Sequence, residues 1–187
     1  MTSPSFLPIL PVLTSTTTFT LSLIQFPIFT SFLANPPASS ISGRPLSIFT
    51  SRFILPGTIP IIASCLTSVI SGFYTYRALP NLDLLRTPLQ TPLENKHQNI
   101  DIAAWYFYGA LSALGHFAFV PFVAPRIRRV RDFVERKGKD AKEDEIRTVN
   151  EREVRGWLVV HAVRTAMVDL VAVVCFVRGL LGILKRA

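Results

Sequence analysis

Apolar residues in this chain come in long blocks rather than in a short amphipathic rhythm. Four blocks reach the ~20 residues that a helix needs to cross a bilayer: about 9–34, 56–76, 102–124 and 157–184. The first is rich in Phe and Thr and is bent or delimited by Pro8, Pro11 and Pro27. "ANPPASSISGRP" then reads as a loop, and "LSIFTSRFI" as a short interfacial stretch ahead of the second block. Within that block Ser64, Ser68 and Gly72 recur every four residues, a lane of small residues along which another helix can approach closely. The segment "RALPNLDLLRTPLQTPLENKHQN" carries three prolines, which exclude a long helix there. The third block opens on Trp105, Tyr106, Phe107 and Tyr108, an aromatic cluster of the kind that settles at a membrane–water interface. Gly109, Ser112 and His116 share a helix face with Trp105, at offsets of 4, 7 and 11.

Between the third and fourth blocks the polarity inverts. Residues 125–155 carry eleven Lys/Arg and eight Asp/Glu. This run reads as a helical extension of the third span, a break near Gly138, and a charged helix leading into the fourth. The predicted architecture is all-α: one integral membrane domain over 1–187, a four-helix bundle with a charged cytosolic helical hairpin (126–155) between helices 3 and 4. No repeat of fixed period is present.

Composition agrees. Of 187 residues 49% are hydrophobic and 17% charged, and the net charge is +8. Most of that charge lies in the one segment between apolar blocks, which is the signature of a juxtamembrane loop rather than of nucleic-acid binding. Cys65 and Cys175 both fall inside apolar blocks and read as small buried hydrophobes. The first acidic residue is Asp83 and the first basic one Arg44, so no secretory n-region is present; the Ser/Thr-rich start resembles a transit peptide only weakly, since Arg is scarce. Counting Lys and Arg outside the spans gives thirteen in loops one and three, and five in loop two and the tail. The positive-inside rule then places loops one and three in the cytosol with both termini opposite; the expected membrane is an ER-like endomembrane.

The fourth block holds His161, Arg164 and Asp169. Arg or Asp near the centre of a membrane helix costs roughly 2.5–3.5 kcal/mol, so other groups must hold them there. At 1.5 Å per residue, His161 lies about 6 Å past Trp157, Arg164 about 10 Å and Asp169 about 18 Å. His116, Ser64, Thr67, Ser68 and Gln25 fall at a similar depth on the other helices, which predicts one shared polar cavity. Arg164 and Asp169 are about 140° apart round a regular helix, so Asp169 should pair with another helix, with His116 or a tyrosine as candidates. Arg178 sits near the far end and can snorkel to the interface. His161 and Asp169 are about 12 Å apart along the helix and cannot share a metal, and no HxxxH, HxxE or CxxC spacing occurs. Two readings stay open: polar glue between helices and a membrane-embedded site.

Several short motifs carry a resemblance. Tyr76-Arg77-Ala78 closing the second helix, Pro121-Phe122 and Pro125 closing the third, and Trp157 with His161 and Arg164 opening the fourth together resemble the anthrone oxygenase-like integral membrane family, over about Ser22 to Leu184. Where that family has a Thr-Asn pair after the third-helix proline, this chain has Arg126-Ile127-Arg128-Arg129. The resemblance implies oxidation of an apolar anthrone-type polyketide to an anthraquinone by O₂, without flavin, haem or metal. It implies a base, His161 or His116; an anion-stabilising group, Arg164; and Asp169 orienting a histidine or balancing Arg164. Trp157, Trp105, Tyr108 and Ser112 would line the substrate, with Phe119 beside them. The competing expectation is a non-catalytic multi-pass membrane protein, a scaffold or assembly subunit, whose small-residue faces leave room for a homo-oligomer. Four spans without a discontinuous pair in matching halves argue against a transporter.

Overall fold

The computed structural model describes residues 6–33, 41–79, 92–137 and 142–185. Helix α1 runs Leu10–Ser31, α2 Arg44–Ala78, α3 Pro92–Gly115, α4 Val120–Lys137, α5 Glu143–Arg164 and α6 Leu170–Leu184. A 3₁₀ turn at His116–Phe119 joins α3 to α4, and a π-helical turn at Thr165–Asp169 joins α5 to α6. No strand occurs among the described residues. Among the described residues, four helical stretches are long and apolar enough to cross a membrane: Leu10–Ser31, Pro56–Ala78, Ile100–Phe133 and Glu143–Leu184. The chain therefore fits an integral, multi-pass membrane protein whose apolar helices meet lipid.

The helices are longer than the apolar blocks. "LSIFTSRFI" is not a separate interfacial stretch but the first part of α2, which continues through Pro56 and Pro60. These prolines stand one turn apart and both are exposed, so their rings and the lost backbone bonds fall on an exposed side of the helix rather than in its packed core. Helix α3 starts ten residues before Ile102, at Pro92. A proline suits a first helical position, where its missing N–H has no intrahelical acceptor; it opens this helix instead of forbidding it. The third apolar stretch continues past the 3₁₀ turn into α4, which holds Pro125 within it. The expected break near Gly138, and most of the first two loops, lie outside the described residues.

Serine and threonine inside the spans are kept dry by their own helices. Thr14, Thr17, Thr18 and Thr30 each donate to the carbonyl four residues back, at 2.7–3.1 Å. Thr67, Ser68, Ser71 and Thr75 do the same along α2. A hydroxyl so bonded needs no water, which lets a Thr-rich segment such as α1 be an apolar span.

The chain divides into two compact units. The first comprises Met1–Phe19, Ala63–His116 and Ala166–Ala187, the second Thr20–Ile62 and Phe117–Thr165. In the first, aromatic rings fill gaps left by glycines. A Cβ on Gly109 would lie 2.7 Å from the Phe176 ring, one on Gly72 2.8 Å from the same ring, and one on Gly179 2.6 Å from Tyr106. Phe176 and Tyr106 are fully buried there among Val69, Ile102, Ala110 and Ala172. Close approach over small residues is how membrane helices gain packing energy without a hydrophobic driving force. The core of the second unit is Phe29, Leu46, Val130, Val154 and Trp157.

Candidate functional site

In the first unit, one face of α3 meets α6 and the π turn position by position. The Arg178 guanidinium lies 5.6 Å over the Trp105 ring, Gly109 receives Phe176, and the Ser112 hydroxyl donates to the Val168 carbonyl at 2.9 Å. His116 Nδ1 stands 2.9 Å from Asp169 Oδ1. Trp105, Gly109, Ser112 and His116, the four residues expected to share a face, thus all face the fourth span. Asp169 has found His116, one of its two expected partners. Both side chains are buried, at 7% and 2% exposure. An ionised Asp169 only accepts, so His116 Nδ1 carries the shared hydrogen and the ring is oriented by the carboxylate. Ser112 bonds a carbonyl inside the π turn, where the extra residue disturbs the regular ladder. A cavity of about 10 Å³ touches Asp169, Ser15, Cys65 and Ser68, at the threshold for one water.

The second unit holds the other two candidates. Arg164 Nη2 lies 2.8 Å from His161 Nδ1 and 3.0 Å from Ser22 Oγ, and His161 Nε2 lies 2.8 Å from the Ser22 carbonyl. A guanidinium has only donors, so His161 Nδ1 must accept and Nε2 must carry the hydrogen that Ser22 receives. The imidazole is therefore neutral, with its lone pair turned to Arg164. Trp157 stacks on this ring, 4.7 Å between centroids and 15° between planes, while Phe26 lies 4.8 Å from it. Trp157 also packs 4.5 Å from Phe29, and its Nε1 has no hydrogen-bond partner among the described residues.

The four ionisable candidates thus form two pairs, His161 with Arg164 in one unit and His116 with Asp169 in the other. The five-residue arithmetic between Arg164 and Asp169 assumed a regular helix; the intervening turn is π-helical, and one added residue rotates every later position round the axis. Of the expected substrate-lining residues, Trp157 is buried in the second core, Ser112 is bonded to Val168, and Trp105 and Tyr108 are 37% and 55% exposed.

Several polar residues escaped the sequence reading. The Tyr106 hydroxyl donates to the Pro8 carbonyl at 3.1 Å; in sequence it is one member of an aromatic cluster. Asn150 Nδ2 reaches the Ser42 and Gly43 carbonyls, both at 2.9 Å, and Ser47 Oγ at 3.0 Å, fastening the start of α2 to α5. Glu153, 2% exposed, meets Arg126 at 3.6 Å, Arg129 at 3.4 Å and Arg152 at 3.2 Å. No pattern separates Asn150 or Glu153 from the charged run around them. Among the described residues, no three His, Cys, Asp or Glu side chains converge as metal ligands would.

Fold and site together define an all-helical chain of membrane-spanning type with two buried ionisable pairs. No family model, curated protein or solved structure matches it.

Proposed function

We propose that this chain is an anthrone oxygenase-like membrane protein: a four-helix bundle that oxidises an apolar anthrone-type aromatic to the anthraquinone with O₂ as co-substrate. The observation that carries this reading is the buried contact between His116 and Asp169. Ionisable residues at membrane depth are costly and default to a functional role, and a carboxylate on Nδ1 leaves Nε2 as the basic nitrogen, the arrangement of a general base with its orienting partner. π turns, moreover, cluster at functional sites. His116 removes a benzylic proton and Asp169 holds its ring. The resulting anion is electron-rich enough to reduce O₂ directly, forming a carbon–oxygen bond and a hydroperoxide. Loss of the second benzylic proton with cleavage of the O–O bond releases water and leaves the new carbonyl. His161 serves better as an anchor than as the base, because its lone pair is already taken by Arg164.

In this reading the charged segment of α4 and α5 is a cytosolic hairpin, loops one and three are cytosolic, and the membrane is of the ER type. A substrate reaching His116 must open space, since the cavity beside Asp169 has room for one water and not for a tricyclic ring. That closeness favours a second reading, a non-catalytic membrane scaffold in which both pairs only hold helices together.

Quinone formation and O₂ uptake with an anthrone, measured on purified protein in lipid, separate the two. The oxygenase reading expects turnover above spontaneous oxidation, lost in a folded Asp169→Asn variant. Absence of turnover by the folded wild type on a panel of anthrones overturns it.

A further inference from the structure

The sequence of chemistry along α4 matches that of a lipid. A groove of about 380 Å³ runs along one face of this helix, lined by Pro121, Ala124, Pro125, Arg128, Arg129 and Asp132. The whole lining falls near the end of the third membrane-spanning stretch, Ile100–Phe133, and its first half is exposed and apolar. Its second half is basic. Seven residues separate Pro121 from Arg128, about 10 Å of helix, so the apolar floor leads straight up to the guanidinium groups.

The charges around the groove do not cancel. Arg126, Arg129 and Arg152 share the single carboxylate of Glu153. Arg131 is paired with Asp132 at 2.6 Å, which offsets the one acid that lines the groove. Arg128 is exposed and, among the described residues, has neither an ion-pair nor a hydrogen-bond partner. Among the described residues, five guanidinium groups thus face two carboxylates. The excess sits where an apolar surface ends, and Glu153 holds Arg129 in place.

We infer that this groove binds an anionic phospholipid, its phosphate between Arg128 and Arg129 and its acyl chain over Pro121, Ala124 and Pro125. Arginine presents planar paired donors to phosphate oxygens, and each basic group near a membrane surface adds to the attraction for anionic lipid. The groove shares no lining residue with either buried pair and does not depend on the proposed oxidation.

The test uses the full chain in phosphatidylcholine vesicles carrying trace spin-labelled phosphatidic acid or spin-labelled phosphatidylcholine. Wild type is expected to immobilise the anionic probe preferentially. Arg128→Gln should lower that preference about fivefold, and the double variant with Arg129→Gln should abolish it. Arg155→Gln removes an exposed charge outside the groove lining and should leave the preference unchanged. Equal losses from Arg155→Gln and Arg128→Gln would overturn the site in favour of diffuse charge. Displacement of the probe by millimolar inorganic phosphate would overturn the lipid as its occupant.

Discussion

The two units of this chain solve one problem differently. The first is held by shape: Phe176 and Tyr106 enter gaps at Gly72, Gly109 and Gly179, with a few polar contacts beside them, Tyr106 on Pro8 and, at the π turn, Ser112 and His116 on Val168 and Asp169. The second is held by polar fastening, with Asn150 on the start of α2, Glu153 among arginines, and Arg164 bridging His161 and Ser22. In a bilayer, apolar contact with a neighbouring helix is no better than apolar contact with lipid. A unit therefore gains either by close van der Waals fit or by satisfying groups that lipid cannot satisfy. The first route tolerates no added methyl group, and the second no missing partner.

The comparison can be broken most forcefully at Phe176. Phe176→Ala should lower the stability of detergent-solubilised protein by about 4 kcal/mol, the range for emptying an aromatic site. Gly109→Val should cost about 2 kcal/mol alone by overpacking and markedly less in the Phe176→Ala background, because the clash is with that ring. Thermal unfolding of the four proteins measures both effects, and additivity would contradict the shape account.

In the second unit His161→Ala should cost about 3 kcal/mol, since it removes one of the buried acceptors of the Arg164 charge and empties the ring's place beside Trp157. His161→Leu combined with Arg164→Leu should cost less than that single change. The smallest effect belongs to Ser112→Ala, about 1 kcal/mol for one interhelical hydrogen bond in a membrane. A loss as large as that of Phe176→Ala would mean the π turn depends on this hydroxyl more than shape allows.

The spans were legible because 20-residue apolar blocks have few other uses. The face shared by Trp105, Gly109, Ser112 and His116 was legible too, since it comes from helical angles; the expectation that Asp169 pairs with another helix named His116 correctly but rested on regular-helix angles that the π turn does not keep. The helix ends were not: Pro92 begins α3, and Pro56 and Pro60 sit within α2, because a proline's effect depends on which face and which turn it occupies. Nor was the division into two pairs legible, because it turns on a π turn between Arg164 and Asp169 that no residue type announces. Asn150 and Glu153 were hidden among polar residues of the same kinds.

The most direct measurement compares anthrone-dependent O₂ uptake of His116→Gln and His161→Gln, each normalised to folded protein in lipid. The account predicts that His116→Gln falls to the spontaneous rate while remaining folded, and that His161→Gln retains turnover per folded molecule despite lower stability. Loss of turnover in folded His161→Gln with activity kept in His116→Gln would contradict it.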